Sequence, residues 1–320
     1  MITAELGRVP LVPHHILKRL NCFEPSDDRF RAAARARQAL LREAKGLPMG
    51  TWAANTDKQR ELGSYLAEEH RYGTFINETV GHLAYRSVCW AEYGALYDTD
   101  RLFRNMLSSM PAVFSLLGPL ALDLRLATRV MRRICPDFVH SVDAAQFETS
   151  PFRRPSKDGI GDRSAFDALF KATTADRKEG FLAIEVKYTE SMLENPARHR
   201  KEYDETSIES ELFVDPEHPQ LRAAPLQQLW RQHMLAYTLK ARGLYSAGRF
   251  IVLAPSLNRA AQDALALYRT HLLPGGIIPF DVISYEQFVD AIRRSGAREI
   301  AAQLHERYLD WEPLDSLILG

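Results

Sequence analysis

Gly180-Phe-Leu-Ala-Ile-Glu-Val-Lys-Tyr-Thr-Glu190 is the stretch on which the fold of this chain turns. It is dense in apolar and aromatic residues, and Phe181–Thr189 reads as a strand. Strand side chains alternate between faces. Leu182, Ile184, Val186 and Tyr188 should therefore point one way, and Ala183, Glu185, Lys187 and Thr189 the other. Glu185 and Lys187 then stand side by side. Alone, a Glu-x-Lys pair is what any half-buried strand with a wet, charged face carries, so its neighbours decide.

Asp167 lies 18 residues before Glu185, inside Ser164-Ala-Phe-Asp-Ala-Leu-Phe170 and an expected strand over Ala165–Ala172. By itself it reads as a turn or strand-end carboxylate. Neighbouring strands at that separation can bring Asp167 and Glu185 to one metal ion, and hard carboxylate oxygens suit Mg²⁺ or Mn²⁺. An ion held by Asp167 and Glu185, with help from the Val186 carbonyl, can acidify a water and act as a Lewis acid in phosphodiester cleavage. Lys187 has no lone pair while charged, so it is no metal ligand. It is placed to hydrogen-bond the attacking water or the scissile phosphate, and its charge offsets repulsion between the carboxylates.

Three further sets stay open between chemistry and structure. Glu148, on an expected strand Phe138–Thr149, can complete the metal's ligands or bind a second ion, or be an edge-strand carboxylate before the Ser150-Pro151 turn. Gln228, Arg231 and Gln232 share a face of an expected helix Leu226–Arg242. They can orient the water, hold Glu185 or contact a phosphate, or be the polar side of a helix whose Leu226, Leu229, Trp230 and Tyr237 are core. Arg153, Arg154, Lys157 and Arg163, between the first two strands, can grip a phosphate backbone or be solvated; Arg198, Arg200 and Lys201 carry the same two readings. Glu190 reads as a support to the ligands or a solvated acid.

Outward from this centre, Arg249–Ala254, with the run Phe250-Ile-Val-Leu253, and Ile277–Ser284 read as strands, and Leu257–His271 as a helix. Strands flanked by helices indicate an α/β core. Residues 1–107 read as a helical region, with helices over Ala33–Lys45, Glu61–His70 and Phe75–Tyr97; Phe75, Trp90 and Tyr93 are assigned to its core. Leu120, Leu124, Ala127, Met131 and Ile134 form the apolar stripe of one helix closed by Pro136, with Arg125, Arg129, Arg132 and Arg133 on its solvated face. Residues 201–220 carry one Lys against seven acids and read as an exposed acidic connection.

Composition excludes several classes. Lys+Arg and Asp+Glu each number 41 in 320 residues, so no global basic field marks a nucleic-acid binder, though a local patch remains open. Cys22, Cys89 and Cys135 are odd in number and far apart, which excludes a disulfide framework and fits a reducing compartment. The first twenty residues lack an apolar signal region. The uncharged stretch Asn105–Leu122 is too rich in Ser, Pro and Gly for a spanning helix, so the expectation is a cytoplasmic protein with no membrane contact. No phosphate-binding Gly-x-x-x-x-Gly-Lys loop, His-Glu-x-x-His or Gly-x-Ser-x-Gly is present. His14-His15 reads as an exposed pair.

Asp…Glu-x-Lys on consecutive strands resembles the PD-(D/E)XK nuclease superfamily. Phe147-Glu-Thr-Ser-Pro151, Ser164-Ala-Phe-Asp167 and Ile184-Glu-Val-Lys-Tyr-Thr-Glu190 look like the core of a prokaryotic restriction-endonuclease-like subfamily. Leu226-Gln-Gln-Leu-Trp-Arg-Gln-His-Met-Leu235 is similar to the helix after the catalytic strands. Gly46-Leu-Pro-Met-Gly50, Gly63-Ser64 and Ser115-Leu-Leu-Gly-Pro-Leu120 extend the likeness over roughly residues 44 to 255, although only the Asp…Glu-x-Lys set is chemically specific. The proline that names the motif is replaced by Phe166, at the superfamily's loosest position.

The resemblance implies a restriction-endonuclease-like mixed sheet flanked by helices over 108–320, behind the helical region 1–107. It implies a metal-dependent endonuclease acting on DNA, in bacterial defence or DNA processing, and it favours Gln228 among the helix residues. A homodimer or a partner protein could supply target recognition. An RNA or branched-DNA nuclease, or a relative that binds without cleaving, is the alternative.

Overall fold

The alternation along the central strand sorts the molecule into two apolar layers. In a computed structural model, which describes residues 2–53, 59–153 and 159–320, Leu182, Ile184, Val186 and Tyr188 join one core cluster, whereas Phe181 and Ala183 join a second. All six are essentially without solvent exposure, the burial on both faces expected of an inner strand between helical layers.

Among the described residues there are seven strands: β1 (Met49–Ala53), β2 (Gln59–Leu66), β3 (Val139–Thr149), β4 (Phe166–Thr174), β5 (Glu179–Val186), β6 (Ala247–Ala254) and β7 (Phe280–Ser284). The last five form one sheet in sequence order. β3, β4 and β5 pair antiparallel; β6 and β7 add in parallel. The two parallel steps need crossovers. Helices Lys201–Ser210 and Gln227–Ala241 bridge β5 to β6, and Arg259–Thr270 bridges β6 to β7. These crossover helices cover one face with the second cluster. Helices Arg29–Ala44, Ser109–Leu122, Leu124–Ile134 and Tyr285–Arg294 cover the other. The result is the mixed α/β sheet, flanked by helices, that the sequence predicts.

Gly248 shows how tightly β5 and β6 are joined. A Cβ there would come within 2.1 Å of the Phe181 ring, so the ring lies directly over β6 backbone. Beneath the opposite face, the Tyr188 hydroxyl accepts hydrogen bonds from Arg37 Nη2 at 2.8 Å and Gln38 Nε2 at 2.9 Å, tying β5 to helix Arg29–Ala44. The first cluster contains residues from Val9 to Leu314, on both sides of position 107.

Several expectations are corrected. Glu61–His70 is not a helix: β2 occupies Gln59–Leu66 and a 3₁₀ turn follows over Glu68–Thr74. Gly63 is the cause, because a Cβ there would sit 2.0 Å from the Leu20 carbonyl; only glycine lets the chain run against that backbone. The helix expected over Phe75–Tyr97 covers only Glu78–Cys89, so Trp90 and Tyr93 leave the core and stand 81% and 85% exposed, while Phe75 is buried.

The single helix over Leu120–Ile134 is two, bent by 114° at Asp123, whose side chain caps the second by accepting from Arg125 and Leu126 N–H. Its four arginines are exposed, and Arg129, Arg132 and Arg133 bond backbone carbonyls. Residues 201–220 are not a solvated link: helix Lys201–Ser210 buries Tyr203, Thr206, Ser207 and Ser210 against Gln227–Ala241. Among the described residues no single helix is long and apolar enough to cross a membrane. His14 and His15 are exposed, and all three cysteines are free.

Candidate active site

Strand register assembles the site. β3 and β4 pair Phe147 with Ala168 and Thr149 with Phe166, which sets Glu148 opposite Asp167. β4 and β5 pair Ala168 with Ile184, and one step on Asp167 comes opposite Glu185. The register thus sets three acidic residues side by side across three adjacent strands. The 18-residue separation of Asp167 and Glu185 is the hairpin that makes this possible.

Glu185 and Lys187 are 3% and 4% exposed on the face covered by helix Gln227–Ala241. Lys187 Nζ lies 2.8 Å from Glu185 Oε1 and donates to Gln228 Oε1 at 2.7 Å. Gln228 Nε2 in turn donates to Glu185 Oε1 at 2.9 Å, and Gln232 Nε2 donates to Glu185 Oε2 at 2.5 Å. One helical turn therefore orients both carboxylate oxygens. Gln232 weighs as much here as Gln228, and its signal in the sequence is the i, i+4 spacing itself. Arg231, between them, turns away to Asp162 and Ser164.

Asp167 is half-buried, and its Oδ2 accepts from the Val186 N–H at 2.7 Å. Burial, followed by the negative charge of Glu185, pushes its pKa well above the ordinary carboxylate range, against the opposing pull of Lys187. Burial also works against the Lys187 charge, but Glu185, Glu190 and Asp167 outweigh it, so the ammonium is held above its ordinary pKa.

Glu148 is placed differently from the other two. Its backbone is left-handed, φ 44°, and its Oε1 receives Arg153 Nη2 at 3.1 Å and the Leu96 N–H at 3.5 Å. Burial raises its pKa despite Arg153. Arg153 is no phosphate clamp: it is 7% exposed and also bonds Glu92 Oε1, Gly94 O and Glu148 O. Arg154 and Lys157 lie outside the described residues. Arg163, Arg198, Arg200 and Lys201 are exposed. Glu190 caps helix Ser109–Leu122, accepting the Ser109 N–H at 3.1 Å, and holds the turn after β5 through the Tyr188 N–H at 2.6 Å.

Among the described residues no three His, Cys, Asp or Glu side chains converge closely enough to hold a metal by themselves. The donor chemistry nevertheless fits one hard divalent ion. Asp167 and Glu185 offer carboxylate oxygens, and the repulsion that raises the Asp167 pKa is what a cation between them would relieve. Glu148 and Glu185 both meet such an ion already partnered: Arg153 and Leu96 bond the Glu148 Oε1, and Lys187, Gln228 and Gln232 bond the two Glu185 oxygens.

A mixed sheet whose adjoining strands present Asp, Glu and Lys at one end, over a glutamine-bearing helix, defines an α/β protein with a carboxylate–lysine site. The protein-family model of the PD-(D/E)XK nuclease superfamily matches residues 25–310, nearly the whole chain, and the chain belongs to that superfamily. Membership points to a nuclease, and nucleases of this superfamily generally use divalent metals. No curated protein and no solved structure matches the chain.

Proposed function

We propose that the protein is a metal-dependent endonuclease that hydrolyses phosphodiester bonds in DNA, with Asp167, Glu185 and Lys187 as its reacting set. The observation that carries this reading is the row Glu148–Asp167–Glu185, closed by the buried Lys187 ammonium. A Mg²⁺ or Mn²⁺ ion held by Asp167 and Glu185, with the Val186 carbonyl beside them, would supply Lewis acidity and a more acidic water.

The chain's own groups do the rest. Gln228 and Gln232 fix the Glu185 carboxylate from behind, as outer partners of ligands commonly do. Lys187 keeps its proton, so Nζ can donate to a phosphoryl oxygen and offset the charge that grows there as water attacks phosphorus and the ester oxygen leaves. A fixed donor of this kind is worth about 10²–10³-fold in rate. Glu148, next to Asp167 across β3 and β4, would be the residue to complete the ligand set or hold a second ion.

Supercoiled plasmid incubated with Mg²⁺, Mn²⁺ or EDTA tests the reading. Nicking or linearisation that needs the ion and is lost in Lys187→Ala and Asp167→Asn supports it. Equal traces from wild type and both variants would exclude this site, and cleavage of RNA or branched DNA alone would move the substrate.

A further inference from the structure

Beside the carboxylate row lies a groove of about 450 Å³ lined by Arg86, Trp90, Tyr97, Gln146 and Glu148, among others. Trp90, 81% exposed, lines it, and the loop after helix Glu78–Cys89, whose residues 90–92 and 97 form the groove's rim, also carries Tyr93 at 85% and Leu96 at 62% exposure. Large apolar side chains held in water on a soluble surface mark a contact site when they cluster.

The rim is latched in place. Glu92 Oε1 accepts the Ser150 N–H and Arg153 Nε, both at 2.8 Å. The Gly94 carbonyl accepts from Arg153 Nη1 at 3.1 Å, and Leu96 N–H donates to Glu148 Oε1. Glu148 is therefore shared: it stands in the carboxylate row and anchors the aromatic rim. Arg153 lies beneath both, balancing Glu92 and Glu148, while Arg86 is exposed and makes no ion pair among the described residues.

From this continuity we infer that the rim is a stacking platform for unpaired bases of single-stranded DNA, Trp90 and Tyr93 supplying the ring faces and Arg86 a phosphate contact. The inference rests on the nuclease reading above and adds a substrate class to it. A strand whose phosphate lies at Lys187 must leave the site along one side of the sheet end, and the groove at Glu148 is the side that offers rings. Aromatic faces with a free cation suit bases and phosphates in alternation.

Binding measured in EDTA, where no ion supports cleavage, tests it with a fluorescein-labelled single-stranded oligodeoxynucleotide and a covalently closed duplex dumbbell. Trp90→Ala and Tyr93→Ala should each weaken single-strand binding by about fivefold or more and duplex binding by less than about twofold. Trp90→Phe should keep the single-strand affinity, yet lose the tryptophan quenching that the oligonucleotide causes in wild type. Of the four tryptophans, Trp230 and Trp311 are buried and Trp52 is half-buried with Arg60 over its ring, so the signal lost in Trp90→Phe is the part that belongs to Trp90.

Unchanged single-strand affinity in Trp90→Ala/Tyr93→Ala would overturn the platform. Equal loss on both probes would overturn it too, as would a dimer that dissociates in the double variant, since the rim would then be an interface between copies. Wild type that binds neither probe, in EDTA or with Mn²⁺, and leaves plasmid uncut with Mn²⁺ would instead sink the nuclease reading itself.

Discussion

Lys187→Met tests the charge arrangement without reference to activity. In the native site Lys187 Nζ is 2.8 Å from Glu185 Oε1 and 2.7 Å from Gln228 Oε1, with Lys187 and Glu185 both under 5% exposed. Removing one partner of a buried pair costs about 3–5 kcal/mol, because the other charge stays behind unpaired. Glu185 keeps the Gln228 and Gln232 amides, so the loss should fall near the lower end, about 3 kcal/mol. Glu185→Gln/Lys187→Met removes both charges and should return to within about 1 kcal/mol of wild type, leaving a coupling energy of about 2 kcal/mol or more.

Urea unfolding at pH 7 in EDTA, followed by far-ultraviolet circular dichroism, measures the four stabilities of the cycle: wild type, Lys187→Met, Glu185→Gln and the double variant. Mn²⁺ should then recover more stability in Lys187→Met than in wild type, because the cation replaces the missing ammonium. A single variant as stable as wild type, or a double variant as unstable as the single, would refute the argument that Lys187 neutralises the row.

Asp167→Asn should abolish metal-dependent cleavage yet raise stability in EDTA. The Asp167 pKa is raised by burial and by Glu185, so its contribution is fullest at acid pH and is lost as pH rises through the folded pKa; the gain over wild type in urea midpoints should grow from pH 4 to pH 8. His233 runs the other way. Burial lowers its pKa from 6.5 to about 4, with Nδ1 facing Tyr268 Oη at 3.0 Å and Nε2 facing the Ile278 carbonyl at 2.8 Å. Its stabilisation is present above pH 6.5 and should fall by about 3 kcal/mol as pH drops to about 4, a slope that His233→Gln should flatten. Thiol titration of the native protein should count Cys89 alone, since it is exposed, whereas burial raises Cys22 to about 12 and Cys135 to about 11; both should react once urea unfolds the chain.

The sheet was legible because β3 to β7 are each bounded by residues that change the period, and because β5 carries apolar residues on both faces up to Glu185. The Asp167–Glu185 juxtaposition was legible for a related reason: one hairpin fixes it. What escaped is contact made across long sequence separations. Gly63 falls inside the helix expected over Glu61–His70, yet its missing side chain admits the Leu20 carbonyl. Trp90 and Tyr93 follow a helical pattern, but the helix ends at Cys89 and the rings turn outward. Arg153 looked like one of several loop cations; only the folded chain brings Glu92, 61 residues away, to meet it. Asp123 is short and polar, and nothing in the flanking apolar stripe announces that it caps a new helix there.

On the proposed reading, charge at the site also accounts for how a chain with a formal net charge of zero can serve a polyanion. Glu148, Asp167, Glu185 and Glu92, which shares Arg153, bring four carboxylates against two cations, Lys187 and Arg153. With all of them ionised the site is two negative charges in excess, the wrong sign for a phosphate. A bound divalent ion would cancel that excess, so the local repulsion of a phosphate would be lifted only where the ion is held. A global basic field would be redundant under that arrangement, and would hold DNA at many places where no bond can be broken. On this account DNA affinity should rise with Mn²⁺ in wild type even where cleavage is blocked by a non-hydrolysable backbone. It should rise far less in Asp167→Asn, which loses the carboxylate that draws the ion in.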